Sequence, residues 1–166
     1  MKIKSCVSVF ISCFLTAATV YAANSSMFQI RLATPAVPGA APPADSDQMK
    51  LFQHDRASGR TKVEMLYVQR TVLLDKNDLK TTSVVTSSST GQLVIAITFT
   101  EQGRRRFAEV TRQNIDHQLA IIIDGRVYSA PLIRDKISGG QAEITGDFTR
   151  NEAEDLSRRI NETLQP

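Results

Sequence analysis

The stretch Leu119-Ala-Ile-Ile-Ile-Asp-Gly-Arg-Val-Tyr-Ser-Ala-Pro-Leu-Ile133, continued by Ile137-Ser-Gly-Gly-Gln-Ala-Glu-Ile-Thr-Gly-Asp-Phe-Thr149, decides the fold. Leu119 to Ile123 reads as a buried strand. Asp124-Gly125 is the strongest short hairpin signal in the chain, because a type I′ turn needs positive φ at both central residues. Arg126 to Ile133 returns as the partner strand, and Pro131, with no N–H for a ladder, marks an edge or the end of regular pairing. Gly139-Gly140 is a second turn and Gln141 to Thr145 a third strand. Thr149-Arg-Asn-Glu152 is a capping box, and Ala153, Leu156, Ile160 and Leu164 behind it fall on one helical stripe.

Upstream, Thr100 can cap a helix from Glu101 to about Asn114, with Glu101 at the positive end of its dipole. Gly103 inside that helix is unfavourable by about 1 kcal/mol relative to alanine, so packing through Phe107 and Val110 must supply its stability. Thr82 to Ser87 and Gln92 to Phe99 pair across Ser88-Ser-Thr-Gly91, and Leu93, Ile95, Ile97 and Phe99 share the face of a half-buried strand. Lys62 to Gln69 is a further strand, and Val72 to Leu79 a short extended piece entering a polar turn. Met27 to Ala33 alternates apolar and polar residues as a strand does. It is followed by a Pro/Ala-rich segment over residues 34–48, in which prolines forbid a regular element. That segment is an excursion within one domain, or else a tail that would cancel the strand before it. The order of strands and helices predicts an α+β fold: a two-layer sandwich, a mainly antiparallel sheet with two helices on one face.

The first residues carry Lys2 and Lys4, then an apolar run from Cys6 to Val20, then Val20-Tyr-Ala22. Basic start, short apolar core and small residues at the cut are the parts of a secretory signal peptide over residues 1–22. The run falls short of the roughly 20 apolar residues that span a bilayer. Cleavage after Ala22 leaves 144 of the 166 residues as one domain, 23–166, with no integral membrane segment. Both cysteines, Cys6 and Cys13, leave with the leader, so the exported chain has no disulfide or thiolate site. The charge falls from +3 to 18 basic against 17 acidic side chains. That balance is no footprint for nucleic acid or an anionic membrane. The expected location is the periplasm, with secretion as the other destination of such a leader.

The exported chain is poor in catalytic equipment. His54 and His117 are its imidazoles, neither with a second ligand at metal spacing. His54 lies in a polar segment, and His117 follows a helix end, where it suits the dipole. No Gly-x-Ser-x-Gly elbow is present, and Ser129 sits in a strand without an adjacent base. Gly139-Gly140 precedes a strand rather than a helix, so it is a turn and not a phosphate loop. Asp124 and Asp147 have turn and pre-cap roles; Glu101, Glu109, Asp135 and Glu143 read as solvated. Arg104-Arg-Arg106 with Arg112 is interleaved with Glu101 and Glu109 and reads as a solvated helix face. The expectation is of no enzyme, no cofactor and no metal.

Several runs, in order, resemble the head subdomain of the first periplasmic domain of the SecD/SecDF translocase family. They include Phe28-Gln-Ile-Arg-Leu32, Phe99-Thr-Glu-Gln-Gly103, Leu119-Ala-Ile-Ile-Ile-Asp-Gly125, Ser129-Ala-Pro131, Ile137-Ser-Gly-Gly140 and Ile144-Thr-Gly146. The resemblance implies a domain that contacts unfolded polypeptide beyond the membrane. In the family this head sits on a ferredoxin-like base and is followed by transmembrane helices. The expectation here is of the head alone, without a proton-driven motor.

The partner expected on these grounds is unfolded polypeptide or an envelope protein, the Sec machinery included, held without catalysis as an accessory to export. Such contact needs an apolar groove or a free sheet edge. The candidate edge is Tyr128, Ser129, Pro131, Leu132 and Ile133; the competing reading is that these residues fill the core. A specific protein antagonist of inhibitor or immunity type, built on the same domain, is the alternative function.

Overall fold

Between Phe28 and Pro35 (β1), apolar side chains alternate to two sides of the strand, and both sides are buried in different ways. The computed structural model describes residues 27–55 and 58–165, so the leader expected over 1–22 lies outside the described residues. After β1 come β2 (Ser46–Asp55), β3 (Arg60–Gln69), β4 (Leu74–Asp75), a 3-10 turn (Lys76–Asp78), β5 (Leu79–Thr86) and β6 (Leu93–Phe99). The helix α1 (Glu101–Gln113) follows, then β7 (Gln118–Ile123), β8 (Arg126–Ser129), β9 (Gln141–Ile144) and α2 (Arg150–Glu162). The class is α+β, as the element order implies.

The strands divide between two sheets rather than forming the single sheet that the pattern suggests. In the larger one β1 pairs with β3 and β7, β3 with β2, β2 with β8, and β8 with β7, so five strands close a ring. β4 is added outside it, on β1. All pairings in the ring are antiparallel except β2 with β8. Each of the five strands contributes to one apolar cluster: Ala33, Leu51, Leu66, Val68, Ala120, Ile122 and Val127. Two alanines among seven residues fit the narrow interior of a ring this small. The other face of β1 and β7, carrying Phe28, Ile30, Leu119, Ile121 and Ile123, packs into a second core. That core is completed by the three-stranded sheet β5-β6-β9, through Ile95, Ile97, Phe99 and Ile144, and by Phe107 of α1 and Ala153, Leu156 and Ile160 of α2. β7 is therefore apolar from Leu119 to Ile123 because it is buried on both sides. Periodicity marks strands but does not say which of them pair, and that is where the single-sheet expectation departs from the fold.

The Pro/Ala-rich segment is shorter than its composition suggests. β1 runs on to Pro35, opposite Leu66, and β2 begins at Ser46, opposite Gln69. Residues 36–45 form the excursion, tied down by the Tyr67 hydroxyl donating to the Ala40 carbonyl at 2.6 Å and by Ala36 N–H donating to Met65 O at 2.8 Å. Asp124 and Gly125 take φ of 47° and 73°, as a type I′ turn requires.

Gly103 has a different role from the one its helical cost suggests. A Cβ there would overlap the carbonyl oxygen of Asp78 and come within 2.9 Å of its carbonyl carbon. The same oxygen accepts Thr100 N–H at 2.8 Å and the Thr100 hydroxyl at 3.2 Å. The 3-10 turn is thus seated against the start of α1, and only glycine allows that approach. Arg106 closes the contact from above, 3.4 Å from the buried carboxylate of Asp78.

Candidate functional site

β2 and β8 touch as parallel strands at one register pair, Leu51 with Val127, and then diverge. Beyond that pair lies a groove of about 770 Å³. One wall is Leu51 to His54 of β2 and the other Tyr128 to Pro131; the hairpin tip Gly91–Leu93 and residues 145–148 complete it. A smaller recess of about 330 Å³ shares Phe52, His54, Tyr128 and Phe148 with it and extends toward Arg126 and Arg159. The smaller recess, unlike the groove, is bounded by α2 through Glu152, Asp155, Leu156 and Arg159.

Aromatic rings line the part that the two share. Tyr128 and Phe148 stack with centroids 6.1 Å apart and planes 23° from parallel, and the Arg126 guanidinium lies 5.6 Å from the centre of the Tyr128 ring. Gly146 lets the Phe148 ring close in, since a Cβ there would lie 2.7 Å from its edge. Phe52 projects from β2 with 51% of its surface exposed, directly across the ladder from Val63, itself exposed. Such a pair on the β2–β3 ladder is an exposed apolar surface. Sequence reasoning passed over Phe52, although its placement on the solvent face of a strand beside polar Gln53 and His54 was the available signal.

The five expected contact residues do not form a common edge. Ile133 is 3% exposed and lies in the core. Its N–H donates to His117 O at 2.9 Å, and its carbonyl accepts from Asp116 N–H at 2.9 Å. Leu132 bridges Gln118, and Leu119 N–H donates to Pro131 O at 3.0 Å. Residues 131–133 thus continue to pair with the start of β7, which uses up the edge on that side. Ser129 is buried, and its hydroxyl is 3.0 Å from that of Thr145. The accessible members are Tyr128 in part, Pro131 and Leu132, of which Tyr128 and Pro131 line the groove.

Ionisable groups are arranged for structure. His54 Nδ1 is 2.9 Å from the Thr61 hydroxyl on the neighbouring strand. His117 does not cap α1 with its ring. Asn114 does so, donating from Nδ2 to Val110 O at 2.8 Å, while the His117 Nδ1 lies 3.1 Å from Ile115 O. Asp124 in the hairpin turn forms an ion pair with Arg159 of α2. The arginines of α1 are each matched: Arg104 and Arg105 with Glu101, Arg106 with Asp78, Arg112 with Glu109. The hydrogen bond from Arg104 holds the Glu101 carboxyl below the usual glutamate range, and that from Arg112 does the same for Glu109. Among the described residues no three His, Cys, Asp or Glu side chains are grouped to hold a metal ion. No described helix is long and apolar enough to cross a membrane.

Residues 49–163 match the family described as SecDF, P1 head subdomain, and the chain belongs to that family. Among curated relatives, the translocase subunit SecD of Magnetococcus marinus is 36% identical over 115 residues, 69% of this chain and 22% of that protein. The subunit SecDF of Thermus thermophilus is 51% identical over 67 residues, 40% of this chain and 9% of that protein. The chain thus spans between 9% and 22% of the length of these relatives. A crystal structure of SecDF in a super-membrane-facing form is similar at 42% identity and TM-score 0.53, covering 56% of this chain and 12% of its own. A structure of SecDF described as a membrane component that enhances protein export is similar at 26% identity and TM-score 0.56, covering 80% of this chain and 60% of its own.

Proposed function

We propose that this head domain holds unfolded polypeptide on the periplasmic side of the membrane, as a non-catalytic accessory to protein export. The observation that carries the reading is the groove: about 770 Å³, walled by Phe52, the Tyr128–Phe148 stack and Pro131, with His54 and Asp147 as its ionisable lining. Aromatic rings set among neutral polar groups such as Gln53, Gln92 and Thr145, with little charge, take up many sequences weakly, which suits a transient holder of chains in transit. Membership of the P1 head family and likeness to a SecDF described as enhancing protein export support the same reading.

The test is binding of reduced, carboxymethylated α-lactalbumin against the folded form of the same protein, measured by fluorescence anisotropy. The unfolded form should bind and Phe52→Ser should weaken it several-fold. Equal affinity for both forms, or for neither, overturns the reading.

A further inference from the structure

β2 is ten residues long and pairs with β3 from Ser46 to Asp55, yet with β8 at Leu51 alone. Past that point its second edge, from Phe52 to His54, faces the groove with no ladder partner among the described residues. We propose that an extended polypeptide segment adds to β2 as a strand in this fork between β2 and β8. The inference rests on the reading of the domain as a polypeptide holder and adds the mode of recognition.

A strand edge presents N–H and C=O groups that main-chain pairing with an extended chain satisfies. β2 is the strand to receive it rather than β8. β2 keeps regular extension through His54 because β3 supports it along its whole length. β8 ends at Ser129 and is followed by Pro131, which has no N–H to offer. Alternate residues of β2 direct their N–H and C=O toward β3, so of Phe52–His54 only one or two present these groups to the fork. That edge, at about 3.3 Å per residue, matches an incoming segment of about three residues, and the fork has room for its backbone. Phe52 and Tyr128 stand at its two sides to receive side chains. Recognition through main-chain groups is indifferent to sequence, except that it rejects proline-rich chains. A polyproline helix docking on the aromatic rings is the contrasting mode.

Hydrogen exchange by NMR on the protein distinguishes these. Saturating reduced, carboxymethylated α-lactalbumin should slow exchange of groove-facing amides within Phe52–His54 at least tenfold, and decaproline should leave them unchanged. If the unfolded chain shifts the Tyr128 and Phe148 ring resonances while those amides exchange as before, strand addition is wrong and polypeptide holding stands. Decaproline competing as well as the unfolded chain overturns strand addition in favour of polyproline recognition. If the unfolded chain does not bind, both readings fall together.

Discussion

The carboxamide of Asn161 on α2 grips the backbone of Thr82 on β5: Oδ1 accepts Thr82 N–H at 2.8 Å and Nδ2 donates to the Thr82 carbonyl at 2.8 Å. Both backbone groups therefore point away from β6, and a side-chain amide stands where another strand would pair. The Thr82 hydroxyl, buried, is 2.9 Å from that of Ser157, which fixes α2 to the same place. Sheet edges left open invite association. Asn161→Ala should lower the unfolding free energy by about 1–3 kcal/mol, because it strands two partly buried polar groups. It should also make the sedimentation coefficient rise with concentration. A urea midpoint equal to that of the wild type would contradict the role given to this amide.

Gly103 and the Asp78 carbonyl make a second close relationship. In an exposed helix interior, glycine to alanine stabilises by about 1 kcal/mol. Here the new methyl would meet the Asp78 carbonyl, so the sign reverses. Gly103→Ala should destabilise by about 1–3 kcal/mol, the range found for overpacking, and should release the 3-10 turn from α1. Thermal denaturation measures it, and a higher melting temperature would refute the contact.

The two cases show what was legible in the residues. Local signals were sufficient where the cause is local: the capping box at Thr149, where Glu152 Oε2 accepts Thr149 N–H at 2.7 Å, the Asp124-Gly125 turn, and the alternation in β6. Gly103 read as a cost because its partner, Asp78, is distant in sequence. The closed ring was illegible for the same reason, since β1–β3 and β2–β8 pairings depend on which apolar faces meet. At the candidate site, Tyr128 and Pro131 were found through strand character and the proline. Phe52 was missed, and Ile133 was grouped with them although its neighbour Leu132, one residue away, points to the opposite side.

Acid titration tests the ion pairs on α1. The carboxyls of Glu101 and Glu109 are lowered from 4.5 by hydrogen bonds from Arg104 and Arg112. A carboxylate with a depressed folded value stabilises the fold fully above its unfolded value and loses that contribution as pH falls through the folded one. Both should show NMR titration midpoints below 4.5. Glu101→Gln should make stability depend less steeply on pH below that value, with a small effect because the pair is exposed. Midpoints at or above the ordinary value would remove the argument.

Leu132 and Ile133 separate surface from core within the stretch first read as a contact edge. Leu132 is 38% exposed, whereas Ile133 is 3% exposed in the core that holds Leu119, Ile121 and Phe107. Leu132→Ser should change stability by no more than about 0.5 kcal/mol, as surface substitutions do. Ile133→Ala should cost about 2–5 kcal/mol through the cavity it leaves, and should affect binding only through unfolding. Chemical denaturation of both variants beside anisotropy with carboxymethylated α-lactalbumin gives the comparison. Equal destabilisation by the two changes would mean that residues 131–133 pack otherwise than the hydrogen bonds to His117 and Asp116 require.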